Sequence, residues 1–509
     1  MGPMNRQSVV ALGLGSATAI VASLVIVSLL DQAVSYPAMI AVLALLLIGV
    51  LVREVHVHRH PLTPAGIVAA TGLLLFVLRP LTILTNRVTS PGAIADSRFF
   101  SPTLVLAGSA ALVQCLVFFL VFFLVYYALA ARRPETGEAG LLQDGPTIPG
   151  PIRQRRVVST AGLRYLALGA SAVAAGGIGY LVLSSGGPAA YFAGLAVRSE
   201  FLSGRAFLAL AYVPVQIGLV LNVLHRRRAG VRPWDWANIV ALTVLVVAGL
   251  TAGGRGPLVI GVVLPLVLLK QVGPKPFRLR GIAVMGTGLL VVALTYSIVV
   301  RTSNFDQGRS LAELRTDPAA VLLSQLTSGA ETRPFDSLVR LNEAAAEDDF
   351  ELQRGATYAA VPAWFVPRAL WADKPNGGGN TWFTREYVPR FYGTARIETS
   401  LSAVGEGYAN FGYGGVAVAG AAFGALASAL RPRRRSGADR SLLAAALPVV
   451  LTPLLFSLVR GDLYQGGSLT IATVILTTGA YLLVSTSTSP SATRDGTAPP
   501  APRRDTVLR

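Results

Sequence analysis

The side chains best suited to chemistry lie between Arg354 and Gly412, in RGATYAAVPAWFVPRALWADKPNGGGNTWFTREYVPRFYGTARIETSLSAVGEGYANFG. There Trp364, Trp371, Trp382, Phe383, Tyr387 and Tyr392 interleave with Arg368, Lys374, Arg385, Arg390 and Arg396. Aromatic faces pack on the apolar face of a sugar, while cations meet phosphate or acidic sugar groups. Aromatics of this kind also anchor re-entrant or amphipathic helices in a headgroup layer, so both readings stand. Glu406, flanked by glycines in VGEGYANFGYGG, is placed to act as a general base toward a hydroxyl. It is equally a charge that a helix start favours through the macrodipole. Tyr408 adds an aromatic face beside it, and ADKPNGGGN reads as a mobile turn that orders on substrate binding.

Three more cations stand where apolar runs end: Arg79 in LLLFVLRPLTI, Arg255 in TAGGRGP, and Arg460 in LVRGDLY, with Asp462 two residues on. A charge at membrane depth costs about 2.5–3.5 kcal/mol on insertion scales, so such residues are functional candidates. One arginine alone reads as a snorkelling helix end. Three at one interface suit a phosphate or pyrophosphate group, which a guanidinium grips bidentately without losing its charge. Neutralising and orienting Arg460 is the simplest duty of Asp462. The loop from Gly186 to Arg205 sets Arg198, Glu200 and Arg205 around Tyr191 and Phe192, either as a salt-bridged cap or as a substrate contact. EAAAEDDFE reads as a solvated acidic turn. His56, His58 and His60 in REVHVHRH share a face only if that segment is extended, and a basic flank is the plainer reading than a metal site. No Ser-His-Asp order, phosphate-binding loop or CxxC occurs, which leaves nucleotide hydrolysis and thiol chemistry without support.

The elements that must position these residues are apolar. Of 509 residues 52% are hydrophobic and 14% charged, and the apolar ones fall in blocks of about 18 to 25, the length that crosses ~30 Å of hydrocarbon. The chain therefore reads as an all-α polytopic membrane protein of about twelve helices, near 9–30, 37–52, 64–78, 103–130, 163–184, 206–224, 236–252, 257–269, 281–300, 408–430, 441–458 and 468–485. One long external loop, 301–407, lies between helices nine and ten. The formal charge of +18 sits in short basic runs beside the spans (HRRRAGVR, KQVGPKPFRLR, RPRRRSGADR), which marks topology rather than nucleic-acid binding. With a cytoplasmic N-terminus these runs and both termini fall inside. The long loop falls outside, with ten Arg/Lys against thirteen Asp/Glu from Thr302 to Gly405. The linker 131–160 and the Ser/Thr/Pro-rich tail after Ser485 read as flexible cytoplasmic segments. The lone Cys115 excludes an intrachain disulfide.

LRP after span three, TAGGRGP after span seven, VPRALWADKP in the long loop and GEGYANFGYGG at span ten together resemble the O-antigen polymerase (Wzy-type) or oligosaccharide repeat unit polymerase family. Arg368…Gly379 and Arg396…Gly407 also match the family's R-x10-G spacing. The resemblance implies a glycosyltransferase of GT-C-like architecture in the cytoplasmic membrane. It would pass a growing glycan from undecaprenyl pyrophosphate onto the next lipid-linked repeat unit at the outer face. It further implies pyrophosphate binding by Arg255, Arg368, Lys374 and Arg460, base duty for Glu406 and sugar contact by Trp371, Trp382 and Tyr408. Arg79, Arg198, Arg396 and Asp462 complete the expected substrate site, with no cofactor or metal. A chain-length regulator and a flippase are the implied protein partners. An O-antigen-ligase-like transferase resembles the GRG turn equally. A transporter or flippase for lipid-linked saccharides is the alternative from another class, although it would line a central path with charge rather than cluster it at one face.

Overall fold

The computed structural model describes residues 32–58, 60–89, 104–131, 156–195, 210–252, 255–271, 333–366, 377–389, 399–431 and 441–487, with scattered positions between 201 and 375. It is an all-α bundle. Six described helices are long and apolar enough to cross a membrane: Ser35–His58, Pro64–Thr85, Leu106–Ala131, Thr160–Ser184, Ser402–Ala429 and Leu463–Val484. A seventh candidate is the pair Leu442–Leu451 and Leu454–Arg460, bent by 41° at Thr452–Pro453. Backbone polar groups cannot go unpaired in hydrocarbon, so helices of this length and composition describe a multi-pass membrane protein. Trp236–Thr251 and Gly256–Gln271 are shorter apolar helices. The expected spans at 9–30 and 281–300 lie outside the described residues, apart from scattered positions in the second.

Helix Leu104–Ala131 is the axis of the bundle, and its Phe118, Phe119, Phe122 and Tyr126 are fully buried. Helix Ser402–Ala429 lies along it with backbones touching. A Cβ on Gly420 would stand 2.6 Å from the Phe118 carbonyl oxygen, and one on Gly424 would stand 2.4 Å from that of Phe122. Only glycine admits so close an approach. Four residues along one helix match four along the other, so the two run parallel, in the same relative sense as the expected spans four and ten.

Several boundaries differ from expectation. The third span does not end at Arg79. A π turn at Leu73–Val77 leads straight into helix Leu78–Thr89, because Asp336 neutralises the Arg79 guanidinium inside the protein and removes the need to reach water. Helix Gln32–His58 likewise runs through REVHVH, so those histidines are helical rather than extended. The tenth helix begins at Ser402 and breaks at Phe411–Gly412, where Gly412 has φ 61°, ψ −148°. The linker and tail, expected to be free, pair at their described ends: strand Arg156–Val158 runs antiparallel to Ser485–Ser487.

Part of the long polar segment is wedged into the bundle. Helix Arg333–Ala346 packs against Leu104–Ala131, with Phe335, Leu338, Val339 and Leu341 fully buried. Its polar buried positions are paired. Arg79 holds Asp336 through Nε (2.8 Å) and Nη2 (2.9 Å). Gln114 and Asn342 exchange amide hydrogen bonds of 2.8 and 3.2 Å. Glu343, expected in a solvated acidic turn, is only 2% exposed and lies 3.5 Å from Arg340, while Glu347, Asp348 and Asp349 face outward. The 3.6-residue period carries Glu343 onto the packed face with Val339 and Asn342.

Candidate functional site

The site is built on the break at Phe411–Gly412. The turns before it end at Asn410, and their last carbonyls would be orphaned without partners. The Ala409 and Asn410 carbonyls accept the Gln353 and Arg354 N–H groups at 2.8 and 3.1 Å. Asn410, fully buried, donates to the Glu406 carbonyl and to Thr357 Oγ1 (2.8 Å each) and accepts from the Gly355 N–H at 2.9 Å. Segment 353–357 is thereby laced to the helix end. Two non-glycine residues at this junction, Arg354 (φ 49°) and Ser402 (φ 69°), hold left-handed backbone, a strain that persists only where surrounding structure enforces it.

Two buried carboxylates meet at one stretch of backbone. Glu406 is 1% exposed and accepts the Thr357 hydroxyl (2.8 Å) and the Leu463 N–H (2.6 Å), with the Gly379 N–H as a third donor. Asp462, also 1% exposed, accepts the Asn380 N–H at 2.9 Å and the Gln465 N–H at 3.0 Å, the latter capping the π turn Leu463–Gly467. Neighbouring amides, 379 and 380, thus serve the two acids in turn. Asn380 in addition accepts the Leu401 N–H at 2.7 Å, and Thr384 Oγ1 accepts that of Thr399 at 2.7 Å, which fixes the strand of chain leading into the helix.

The triple glycine explains how backbone comes this close. A Cβ on Gly378 would stand 2.3 Å from Tyr464 Cβ and 3.0 Å from Asp462 Oδ2; one on Gly379 would stand 3.0 Å from Glu406 Oε1. Gly377 sits at φ +88°. The stretch 377–380, expected as a mobile turn, is instead docked, because each glycine is required by a contact rather than by freedom.

The expected cations are placed differently from one another. Arg79 is committed to Asp336. Lys374 Nζ donates to the Ala363 and Val366 carbonyls (3.2 and 2.8 Å) at the end of helix Val361–Trp364. Arg460 ends helix Leu454–Arg460, half-buried, and its carbonyl accepts the Ser400 hydroxyl. Arg255 opens helix Arg255–Leu258, with its side chain outside the description. Arg198, Arg368 and Arg396 lie outside the described residues. Among the aromatics, Tyr408 stacks on Phe350 (ring centroids 5.7 Å, 7° apart) and Trp382 meets Tyr387 edge-on at 5.6 Å. Both border a small second core of Leu341, Phe383, Val388, Leu401 and Ala409. Trp371 is 45% exposed.

Thr357, Asn380 and Asn410 escaped the sequence reading. Asn410 carried a signal, being four residues after Glu406 and so on the same helical face. Thr357 and Asn380 carried none, since their partners are 49 and 82 residues away. Tyr358 belongs here too: burial, reinforced by the negative charge of Glu406, holds its phenol above its ordinary pKa. At the other end of the bundle His58 approaches Glu54 at 3.5 Å, while the alternation in HVHRH, being helical up to His58, does not put three imidazoles on one face.

No family model, curated protein or solved structure matches the chain. What the site can do follows from its own chemistry. Two acids shielded from bulk water lie beside an aromatic shelf, at one end of a membrane bundle and beneath a polar segment. Such a pair can take or hold a proton and orient a polar group delivered at the membrane surface.

Proposed function

We propose that this chain is a membrane glycosyltransferase that extends a lipid-pyrophosphate-linked oligosaccharide at the outer face of the cytoplasmic membrane. The observation that carries the reading is the buried pair Glu406 and Asp462 at the seam between the polar segment and the bundle. Transfer of a glycan from a pyrophosphate carrier needs a base for the acceptor hydroxyl and cations for the leaving group. Glu406 takes the first role. Arg460, with Arg255 and Arg368, takes the second, guanidinium groups neutralising the departing pyrophosphate as a preorganised electrostatic site. Tyr408 and Trp382 offer faces for the sugar. Arg79, being paired with Asp336, positions the wedge helix rather than substrate.

Purified protein in vesicles, given lipid-linked repeat units, should release lipid pyrophosphate and lengthen the glycan. Transfer to a different acceptor without chain growth would make it ligase-like. Absence of any new glycosidic bond removes the reading.

A second reading has an observation of its own. Helices broken at Phe411–Gly412 and at Thr452–Pro453 adjoin the acid pair, and discontinuous helices line substrate paths in transporters. Movement of lipid-linked saccharide across the same vesicles, with its length unchanged, decides for that reading.

A further inference from the structure

Among the described residues between Trp364 and Lys374, the large apolar side chains face out and the lysine faces in. Lys374 is turned inward, its ammonium on the Ala363 and Val366 carbonyls, while Asp373 beside it faces out. Phe365, Leu370 and Trp371 are turned outward, 41%, 81% and 45% exposed. Trp364 supports this knuckle, its ring edge-on to Phe365 at 4.9 Å. A water-facing loop would show the reverse pattern, with lysine out and leucine in. The place in the fold gives the reason. Helix Val361–Trp364 buries Val361 and Ala363 and packs against the π turn Leu463–Gly467 and the start of helix Ser468–Val484. The latter belongs to a membrane-length helix whose own Ile471, Val474 and Ile475 are exposed apolar residues. The knuckle therefore projects beside the end of a membrane span, where Trp and Phe favour the boundary between headgroups and acyl chains.

We propose that Phe365, Leu370 and Trp371 insert into the lipid bilayer and hold the polar segment down over the Glu406–Asp462 pair. The partner is the bilayer surface itself. The inference does not rest on glycosyl transfer, and its test does not read that activity.

The test places an environment-sensitive dye at the most exposed position, Leu370→Cys, with Cys115 fully buried and the unsubstituted chain as the labelling control. Full-length protein is reconstituted in phosphatidylcholine vesicles with and without lipid carrying a shallow nitroxide. Insertion predicts blue-shifted emission, severalfold quenching by the nitroxide lipid and little by aqueous iodide. Adding Phe365→Ser and Trp371→Ser should reverse that ranking while the unfolding temperature stays unchanged, since both side chains are exposed. Quenching by iodide and not by lipid overturns the proposal. So does protection from both quenchers, which would mean that a protein surface covers the knuckle, and so does lipid quenching that survives the double serine change.

Discussion

The bundle buries a glutamate at each end, and the two are held in opposite ways. Glu54 is fully buried near the far end of Leu104–Ala131, where side chains surround it. The Tyr127 hydroxyl and Arg53 Nη1 donate to it at 2.8 Å each, His58 stands at 3.5 Å, and Arg431, just past helix Ser402–Ala429, lies 5.4 Å over the Tyr126 ring. Glu406, near the start of Ser402–Ala429, takes two of its three bonds from backbone amides of segments 27 and 57 residues away. A side-chain cage can rearrange rotamers when one member changes. A backbone cage cannot, so Glu406 ties the course of three segments together and tolerates far less.

That contrast orders the expected effects. Glu406→Ala should be the most damaging change, because it leaves the amides of Leu463 and Gly379 and the Thr357 hydroxyl unpaired at about 1–3 kcal/mol each. Thermal unfolding in detergent should show a clearly larger loss than for Glu54→Ala, whose partner Arg53 is 39% exposed and can turn to water. Equal losses would erase the distinction between the two ends.

Arg79→Ala comes next, at about 3–5 kcal/mol, because it strands Asp336 in the wedge helix. Arg79→Ala combined with Asp336→Ala should recover part of the loss in a double-mutant cycle. Purely additive losses would show that the pair does not dock the wedge.

Gly379→Ala should cost about 1–3 kcal/mol through overpacking against Glu406. Its counterpart toward the other end, Gly49→Ala, meets nothing within 4 Å and should gain up to about 1 kcal/mol of helix propensity. Similar melting curves for both would mean that the close approach at 379 is not a constraint.

The smallest stability change belongs to Glu406→Gln, below about 1.5 kcal/mol, roughly the net worth of one hydrogen bond. The amide oxygen can keep the Leu463 N–H while its NH₂ turns to Thr357 Oγ1, so that only the Gly379 N–H loses its acceptor. Under the proposed function glycan elongation should nonetheless vanish, separating a proton-taking acid from a structural one. Full activity in this variant, with the fold intact, would leave Glu406 as architecture alone.

The spans near 103–130, 163–184 and 468–485 were legible from apolar length, and each helix lies within a few residues of expectation. Glu406 and Asp462 stood out as charges in an apolar setting, and the structure buries both to 1% exposure. Arg79 was recognised as unusual but paired with nothing, since Asp336 lies 257 residues on and reads as an ordinary surface acid. The glycines of ADKPNGGGN show the gap most plainly. Sequence marks a glycine as permissive, and only the neighbours decide whether that permission is spent on motion or on contact.

The sequence by itself determined that this is a multi-span membrane chain with a polar segment late in its course, because hydrocarbon thickness and the cost of unpaired backbone act on composition and length alone. Only the tertiary structure decided that two acids 56 positions apart share one stretch of backbone, that Asp336 holds Arg79 and that the glycines pack where a Cβ would not fit. Those outcomes depend on which distant segments meet, and the interactions that fix them reach only a few ångströms.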